Sequence, residues 1–345
     1  MAGKVAVDCR LYSQKATGIS RYTLVFLKFV INKFGATNTV VITNERIPGF
    51  DHCQQIVTNY KAFNLAHFFL FPRLVKKLDV DFYISFHYSG LAYKIDGVKS
   101  LITIHDLMYK LVPGFFGSQL KDVIGKIYYN ILVGMSISTS DIIMTVSETS
   151  RNDILRCFNR DSINNSEGVF FSAKPDLDIL SKHDLIEGEY FFYAGNNRPH
   201  KNVKLLIDAF ESSEAKNNGV KLVIVGHSGT SNDTIIYPGF VSDEELAGLY
   251  TGARALVFPS LYEGFGLPIL ESIMYGTPVV ASDISAFREF KTQNISFFKN
   301  SSKQDLVQVL DQLHKFDAKD AKEFLSQYQW EIIERRFEQF LDSFV

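Results

Sequence analysis

The chain has 345 residues, 46% of them hydrophobic and 21% charged, with a formal net charge of −2. That balance argues against a disordered chain, and at about 150 residues per domain the length predicts two domains. No apolar run approaches the roughly 18 residues of a membrane span, and the first eight residues read as a short strand with an acidic end, not as a secretion signal. Cys9, Cys53 and Cys157 stand far apart with no C-x-x-C pair, which fits a reducing compartment and speaks against a disulfide framework or a cysteine-held zinc.

The small net charge hides an asymmetry. Residues 1–175 hold 20 Lys and Arg against 13 Asp and Glu, a net of +7, whereas residues 176–345 hold 16 against 25, a net of −9. Chance and surface solubility account for this as well as two halves that meet different partners do.

In chain order, Val5 to Asp8 reads as a short buried strand. Gly18 to Phe34 carries apolar residues at helical spacing and closes at Gly35. Thr39 to Thr43 and Gln55 to Thr58 read as strands, and His67 to Leu78 as a helix. Asp81 to Phe86, Ser100 to Ile104 and Ile142 to Val146 are the short apolar runs of buried parallel strands. Helices are expected over Ser118 to Met135 and over Ser147 to Phe158, with Ser147 as N-cap.

The second half repeats the pattern. Strands are expected at Tyr190 to Ala194, Lys221 to Val225, Ile235 to Tyr237, Ala255 to Phe258, Pro278 to Ala281 and Ile295 to Phe298. Helices are expected near Asn202 to Ser212, Asp243 to Thr251, Pro268 to Tyr275 and Ser302 to His314. Strands alternating with helices imply βαβ units and parallel sheets. The expectation is therefore an α/β chain of two Rossmann-like domains, residues 1–175 and 176–345, with the terminal helix crossing back to the first and the boundary at residues 172–188. Ligands of such sheets bind beyond the carboxyl ends of the strands. That directs attention to Asp8, Thr17-Gly18, His105-Asp106, Ser147-Glu148, Gly195 to Lys201, Gly226-His227 and Glu263 to Glu271.

The richest of these segments runs from Pro259 through Glu263, Gly264, Phe265, Gly266, Leu267 and Pro268 to Glu271. Two glycines allow a tight backbone and close approach to a ligand, and Pro268 suits a first helical turn. Amides around Phe265, Gly266 and Leu267 would point out of a helix N-terminus, a place for an anion or for sugar oxygens. Glu263 and Glu271 read two ways: as carboxylates favoured by the helix dipole, or as acceptors of hydrogen bonds from sugar hydroxyls.

Glu263-x7-Glu271 with Gly-Phe-Gly-Leu-Pro between, followed by Gly276 to Ser282, resembles the donor-site motif of the retaining GT-B glycosyltransferases of family GT4, as in bacterial polysaccharide mannosyltransferases. Tyr193 to Asn202 resembles that family's phosphate loop, Thr17 to Tyr22 its N-terminal glycine loop, and His105-Asp106-Leu107 its strand-end histidine motif. Thr145 to Ser150 also fits. The blocks follow family order from about residue 5 to 290.

The resemblance implies a GT-B fold with two Rossmann-like domains facing across a cleft, the first binding the acceptor and the second a nucleotide sugar. It implies that Glu263 binds donor-sugar hydroxyls, Glu271 the ribose, and Lys201 the diphosphate. Gly18 would let the backbone approach the distal phosphate, and His105 would lie beside the sugar. Phe265, Gly266 and Leu267 would complete the donor site, with no residue assigned to the acceptor. The implied activity transfers a hexose, with GDP-mannose as donor ahead of a UDP-hexose, onto a glycan or lipid-linked glycan. It calls on no metal and on no cofactor beyond the nucleoside-diphosphate sugar. No nucleic-acid partner is implied, and the implied place is the cytoplasm, peripheral to the inner face of the cell membrane.

Two positions depart from the family pattern. Asn196 stands where an arginine is common, which leaves Arg198 either as the substitute phosphate ligand or as a solvent-facing residue. The usual asparagine-glycine turn is not recognisable at Asn164 to Val169.

Other features read more plainly. His105 beside Asp106 also fits a strand-end polar pair. His200 and His227 lie on expected loops and read as exposed, and His52, His67, His87 and His183 show no metal-ligand spacing. Gly226 to Gly229 lacks the rest of a dinucleotide fingerprint, which disfavours a nicotinamide dehydrogenase. Lys61 to Lys77 mixes aromatic and basic residues. It fits contact with an anionic membrane or a helix packed on the sheet with solvated lysines. A glycosidase built on Glu263 and Glu271 would leave Lys201 without a purpose, and a non-catalytic GT-B protein that binds a glycan or partner is the remaining alternative.

Overall fold

The structure is a computed structural model and describes residues 3–13, 18–164 and 186–344. The chain forms two compact units, Met1–Ser172 with Tyr328–Val345, and Ala173–Gln327. The expected boundary at 175/176, Thr17, His183 and residues 165–169 of the unrecognised turn lie outside the described residues.

The first unit holds a seven-stranded sheet of β1 (Val5–Asp8), β2 (Thr39–Thr43), β3 (Gln54–Val57), β4 (Phe82–Ser85), β5 (Lys99–Ile104), β6 (Ile142–Thr145) and β7 (Ile163–Asn164). Its order is β3-β2-β1-β4-β5-β6-β7. Every pairing is parallel. The connecting helices are α1 (Gly18–Phe34), α2 (Leu65–Phe69), α3 (Phe71–Lys77), α4 (Met108–Leu111), α5 (Gln119–Thr139) and α6 (Glu148–Phe158). Burial on both faces explains why β1, β2 and β4 are buried at every position, with apolar residues running consecutively and polar ones only at their ends.

The helix expected over His67 to Leu78 is two helices. Pro72 has no amide hydrogen and cannot continue α2, but it suits the first turn of α3, so the chain restarts at Leu70. Helix α5 runs a turn past the expected Met135. Ser147 caps α6 as expected, its Oγ accepting from the Ser150 amide at 3.0 Å.

The second unit holds β8 (Tyr190–Ala194), β9 (Lys221–Val225), β10 (Ile235–Ile236), β11 (Ala255–Phe258), β12 (Val279–Ser282) and β13 (Ile295–Phe298), in the order β10-β9-β8-β11-β12-β13. All of its pairings are also parallel. Its helices are α7 (Val203–Phe210), α8 (Glu214–Asn217), α9 (Asp243–Gly252), α10 (Leu267–Met274), α11 (Ser285–Arg288), α12 (Lys303–Asp311) and α13 (Ala318–Ser326).

The last helix, α14 (Trp330–Phe344), belongs to the first unit. Phe337 packs edge-on against Phe26 of α1 with centroids 4.7 Å apart, and Phe344 lies 5.3 Å from Phe82. Asn32 donates to Glu334 at 2.8 Å, and Lys33 pairs with Asp342. The aromatic contacts carry most of this docking, because exposed ion pairs contribute little.

Candidate functional site

In each sheet the strand order reverses once: between β1 and β4 in the first unit, and between β8 and β11 in the second. Loops leaving the carboxyl ends of strands on either side of such a point open a crevice. In the second unit these are the loop after β8, which carries Arg198 to Lys201, and the loop after β11, which carries Ser260 to Glu263.

The two loops are joined. The Leu261 amide donates to the His200 carbonyl at 2.8 Å, and Lys201 Nζ lies 2.6 Å from Glu263 Oε1. The lysine and glutamate side chains are only 13% and 11% exposed, so the pair is largely removed from water. Lys201 ends a single 3-10 turn, Pro199–Lys201, and Asn202 closes that turn in the left-handed region at φ 55°. The ammonium also stands 5.0 Å from the Phe258 ring, a cation–π contact.

His200 corrects the expectation of an exposed loop histidine, because it is buried. Burial pushes its pKa down to about 4, and Lys201 and Arg198 oppose its charging further, against the pull of Glu263. His200 is therefore neutral near pH 7 and adds no charge beside the ion pair. Tyr193, fully buried beneath the loop, has its phenol pKa raised by burial and then by Glu263.

Backbone proximity sets the mouth of this crevice. A Cβ on Gly226, just after β9, would lie 2.5 Å from the Gly195 carbonyl oxygen, and Gly226 has φ 79°. Only glycine lets the two strand ends pass this closely. Asn196, on the rim, accepts from the Arg198 amide at 3.3 Å, and Arg198 itself is exposed. His227 lies half-buried, its Nδ1 2.9 Å from the Ser228 carbonyl.

Helix α10 starts as the residues dictate. Gly266 is its N-cap at φ 131°, Leu267 opens it and Pro268 occupies its first turn. A side chain at Gly266 would press on Phe287 at 2.9 Å. Phe265 is buried edge-on against Phe290, with centroids 5.0 Å apart, while Leu267 is half-buried. Glu271 lies a turn further on and accepts a 2.9 Å hydrogen bond from the Tyr250 hydroxyl of α9. Tyr250 in turn stacks on Tyr275 at 5.4 Å. Sequence reasoning missed Tyr250, which sits in a helix with no motif around it and meets Glu271 only through the fold.

The second unit thus brings Lys201 and Glu263 into contact, with Phe265, Gly266 and Leu267 following Glu263 on the same loop. His105 and Gly18 belong to the first unit. His105 follows β5, half-buried, with Nε2 2.9 Å from the Phe86 carbonyl. A carbonyl can only accept, so Nε2 carries the hydrogen and Nδ1 is left as an acceptor. Burial lowers the ring's pKa and keeps it neutral. Tyr22 of α1 holds the ring edge-on at 4.7 Å, and Ser150 Oγ donates to the His105 carbonyl at 2.7 Å. Gly18 is the exposed first residue of α1.

A second polar cluster ends β1. Arg10 grips Asp8 with two bonds of 2.9 and 2.7 Å, and Tyr83 donates to the same carboxylate at 2.8 Å. The guanidinium lies 3.3 Å over the Phe71 ring and 3.2 Å from His67 Nδ1. The visible signal was the Asp-x-Arg spacing at a strand end; Asp8 was noted there and Arg10 was not. Among the described residues, no group of three or more His, Cys, Asp or Glu side chains is arranged to hold a metal ion.

Residues 181–326 match the family model Glycosyl transferases group 1. O-antigen chain mannosyltransferase B of Escherichia coli is 30% identical over 213 residues, 55% of each chain. O-antigen chain mannosyltransferase RfbU of Salmonella typhimurium is 30% identical over 228 residues, 61% of each chain. The chain thus spans less than two thirds of the length of these curated relatives. Among solved structures, sucrose-phosphate synthase from Thermosynechococcus elongatus superposes with a TM-score of 0.70 at 15% identity, over 99% of this chain and 98% of that one. The lipopolysaccharide glycosyltransferase WaaG superposes with a TM-score of 0.66 at 14% identity, over 97% and 95%. At such identities the likeness speaks for the fold, which is that of the GT-B glycosyltransferases. The second unit, whose sheet reverses where Lys201 and Glu263 meet, thus carries a domain that matches the glycosyl transferases group 1, within a chain of two parallel Rossmann-like sheets.

Proposed function

We propose that the chain is a retaining hexosyltransferase that moves mannose from GDP-mannose to a hydroxyl of a glycan or lipid-linked glycan in surface polysaccharide synthesis. The names of the two relatives, both O-antigen chain mannosyltransferases, support the sugar and the pathway class. The observation that carries the reading is the enclosed Lys201–Glu263 pair at the reversal point of the second sheet.

The chemistry asks for such a pair. As the glycosidic bond breaks, positive charge grows on the sugar and negative charge on the departing diphosphate. Lys201 supplies a fixed cation for the diphosphate in a site with little water, where it acts more strongly than in bulk. Glu263, released from Lys201 as the phosphates bind, accepts hydrogen bonds from the sugar. Glu271, steadied by Tyr250, holds the ribose. Arg198 and the start of α10 add positive potential without calling on a metal. In the first unit, His105 is neutral with Nδ1 as an acceptor open to a sugar hydroxyl. Retention follows a front-face path in which the leaving phosphate takes the acceptor proton, so no covalent nucleophile is assigned. The acceptor hydroxyl belongs to a glycan or lipid-linked glycan, and the reaction runs at the inner face of the cell membrane.

The test is transfer from GDP-mannose to a lipid-linked acceptor by the purified chain, with the anomeric configuration of the product read by NMR. Mannosyl transfer with retention is expected. Turnover of UDP-hexoses alone would overturn the donor, an inverted product the mechanism, and neither transfer nor hydrolysis of any nucleoside-diphosphate sugar the activity.

A further inference from the structure

Helix α5 is apolar on the wrong side as well as the right one. Its inner face packs Leu132, Val133 and Ile137 into the core of the first unit, joined by Tyr129. Its outer face presents Leu120, Val123, Ile124, Ile127 and Ile131, between 52% and 71% exposed. At about 100° per residue these five fall within an arc of roughly 100°. An apolar stripe of this extent is rare on a chain that stays alone in water and marks a surface for association.

The charges around the stripe say what it meets. Asp122 is the only acidic residue in the helix, and it is turned inward. It accepts from the Gly114 and Phe116 amides at 3.1 Å each and pairs with Lys126 at 2.8 Å. Lys121 is exposed beside the stripe. The adjoining segment has the same character: Tyr128 of α5 donates to the Phe63 carbonyl and its ring lies 6.2 Å from Phe68 of α2. The junction of α2 and α3 exposes Phe69 (64%) and Leu70 (40%), followed by exposed Arg73, Lys76 and Lys77.

We propose that the outer face of α5 is an interfacial docking surface that lays the first unit on an anionic lipid bilayer. Its aliphatic stripe enters the headgroup boundary, and Lys121 with the basic run after Leu70 meets the lipid charge. No described helix is long and apolar enough to cross a membrane, and the inner face of α5 is already committed to the core, so the helix lies on the surface and does not span it. The surface deepens the reading of a lipid-linked acceptor and rests on that reading for its purpose. It moves the main membrane contact from Lys61–Lys77 to α5, with the former as its flank.

The experiment is co-sedimentation of the full chain with vesicles of equal phosphatidylglycerol and phosphatidylcholine, and with phosphatidylcholine alone. Binding to the anionic vesicles at low salt is expected, weakening as salt rises. The variant Ile124→Glu/Ile127→Glu is expected to bind at least tenfold more weakly, and Lys121→Glu about fivefold more weakly, with thermal midpoints unchanged because these side chains are exposed. No binding to anionic vesicles, or equal binding by the double variant, would overturn the proposal. So would sedimentation equilibrium showing a dimer that the double substitution splits and that does not bind vesicles, since a second copy would then cover the stripe. Titration of GDP-mannose into the same samples separates the two readings. Vesicle binding without donor binding upholds the surface and overturns the transferase; donor binding without vesicle binding overturns the surface alone.

Discussion

Lys201 Nζ and Glu263 Oε1 meet at 2.6 Å across 62 residues of chain, with both side chains nearly enclosed. An ion pair in such a place is weak evidence for stability, because desolvation offsets much of the attraction. It fits better a cation held ready and then handed to an incoming diphosphate.

Lys201→Ala removes one charged hydrogen bond to the leaving group, about 1.5–3 kcal/mol. It should slow turnover about 10–150-fold. It also strands Glu263, at a stability cost of about 3–5 kcal/mol. The paired variant Lys201→Met/Glu263→Gln should recover most of that stability and none of the activity, as read by denaturant unfolding beside the transfer rate. Recovered activity would remove Lys201 from the mechanism.

Much of this arrangement was legible in the residues. Short apolar runs alternating with amphipathic stretches gave both parallel sheets, because strands buried on two faces carry consecutive apolar residues and do not alternate. Glu263, Gly266 and Glu271 stood out because glycines and Pro268 fix a strand–turn–helix locally. The Lys201–Glu263 contact was not legible, since it depends on β8 lying beside β11. His200 was misread as exposed because loop position says nothing about what packs over it. The break at Leu70 was in the text, as Pro72, but apolar periodicity across it hid the restart.

Tyr250→Phe keeps the stack on Tyr275 and removes the hydrogen bond to Glu271. It should raise the donor KM about three- to tenfold and leave kcat within about twofold. A packing role alone would instead lower the thermal midpoint with KM unchanged.

Stability should fall as pH drops from about 6.5 to about 4. Burial lowers the pKa of both His67 and His200 to about 4. Between the two limits the unfolded chain binds more protons than the folded one, so the stability from keeping these rings neutral is complete above 6.5 and lost on the way to 4. Each ring accounts for on the order of 3 kcal/mol at most. Thermal midpoints against pH should show this slope, and His67→Gln should flatten it.

Gly226→Ala forces a Cβ to within 2.5 Å of the Gly195 carbonyl at a positive φ. A cost of about 2 kcal/mol or more is expected, seen as a drop of several degrees in the midpoint by calorimetry. Gly97→Ala, where φ is 79° with open space around the new methyl, should cost less and serves as the control.

The most direct measurement is calorimetric titration of GDP-mannose into the wild-type chain, Lys201→Ala and Glu271→Ala. Saturable binding that weakens at least tenfold in each variant is the predicted result. Failure of the wild type to bind any nucleoside-diphosphate sugar, or equal affinity in all three proteins, would contradict the assignment of the second unit as the donor site.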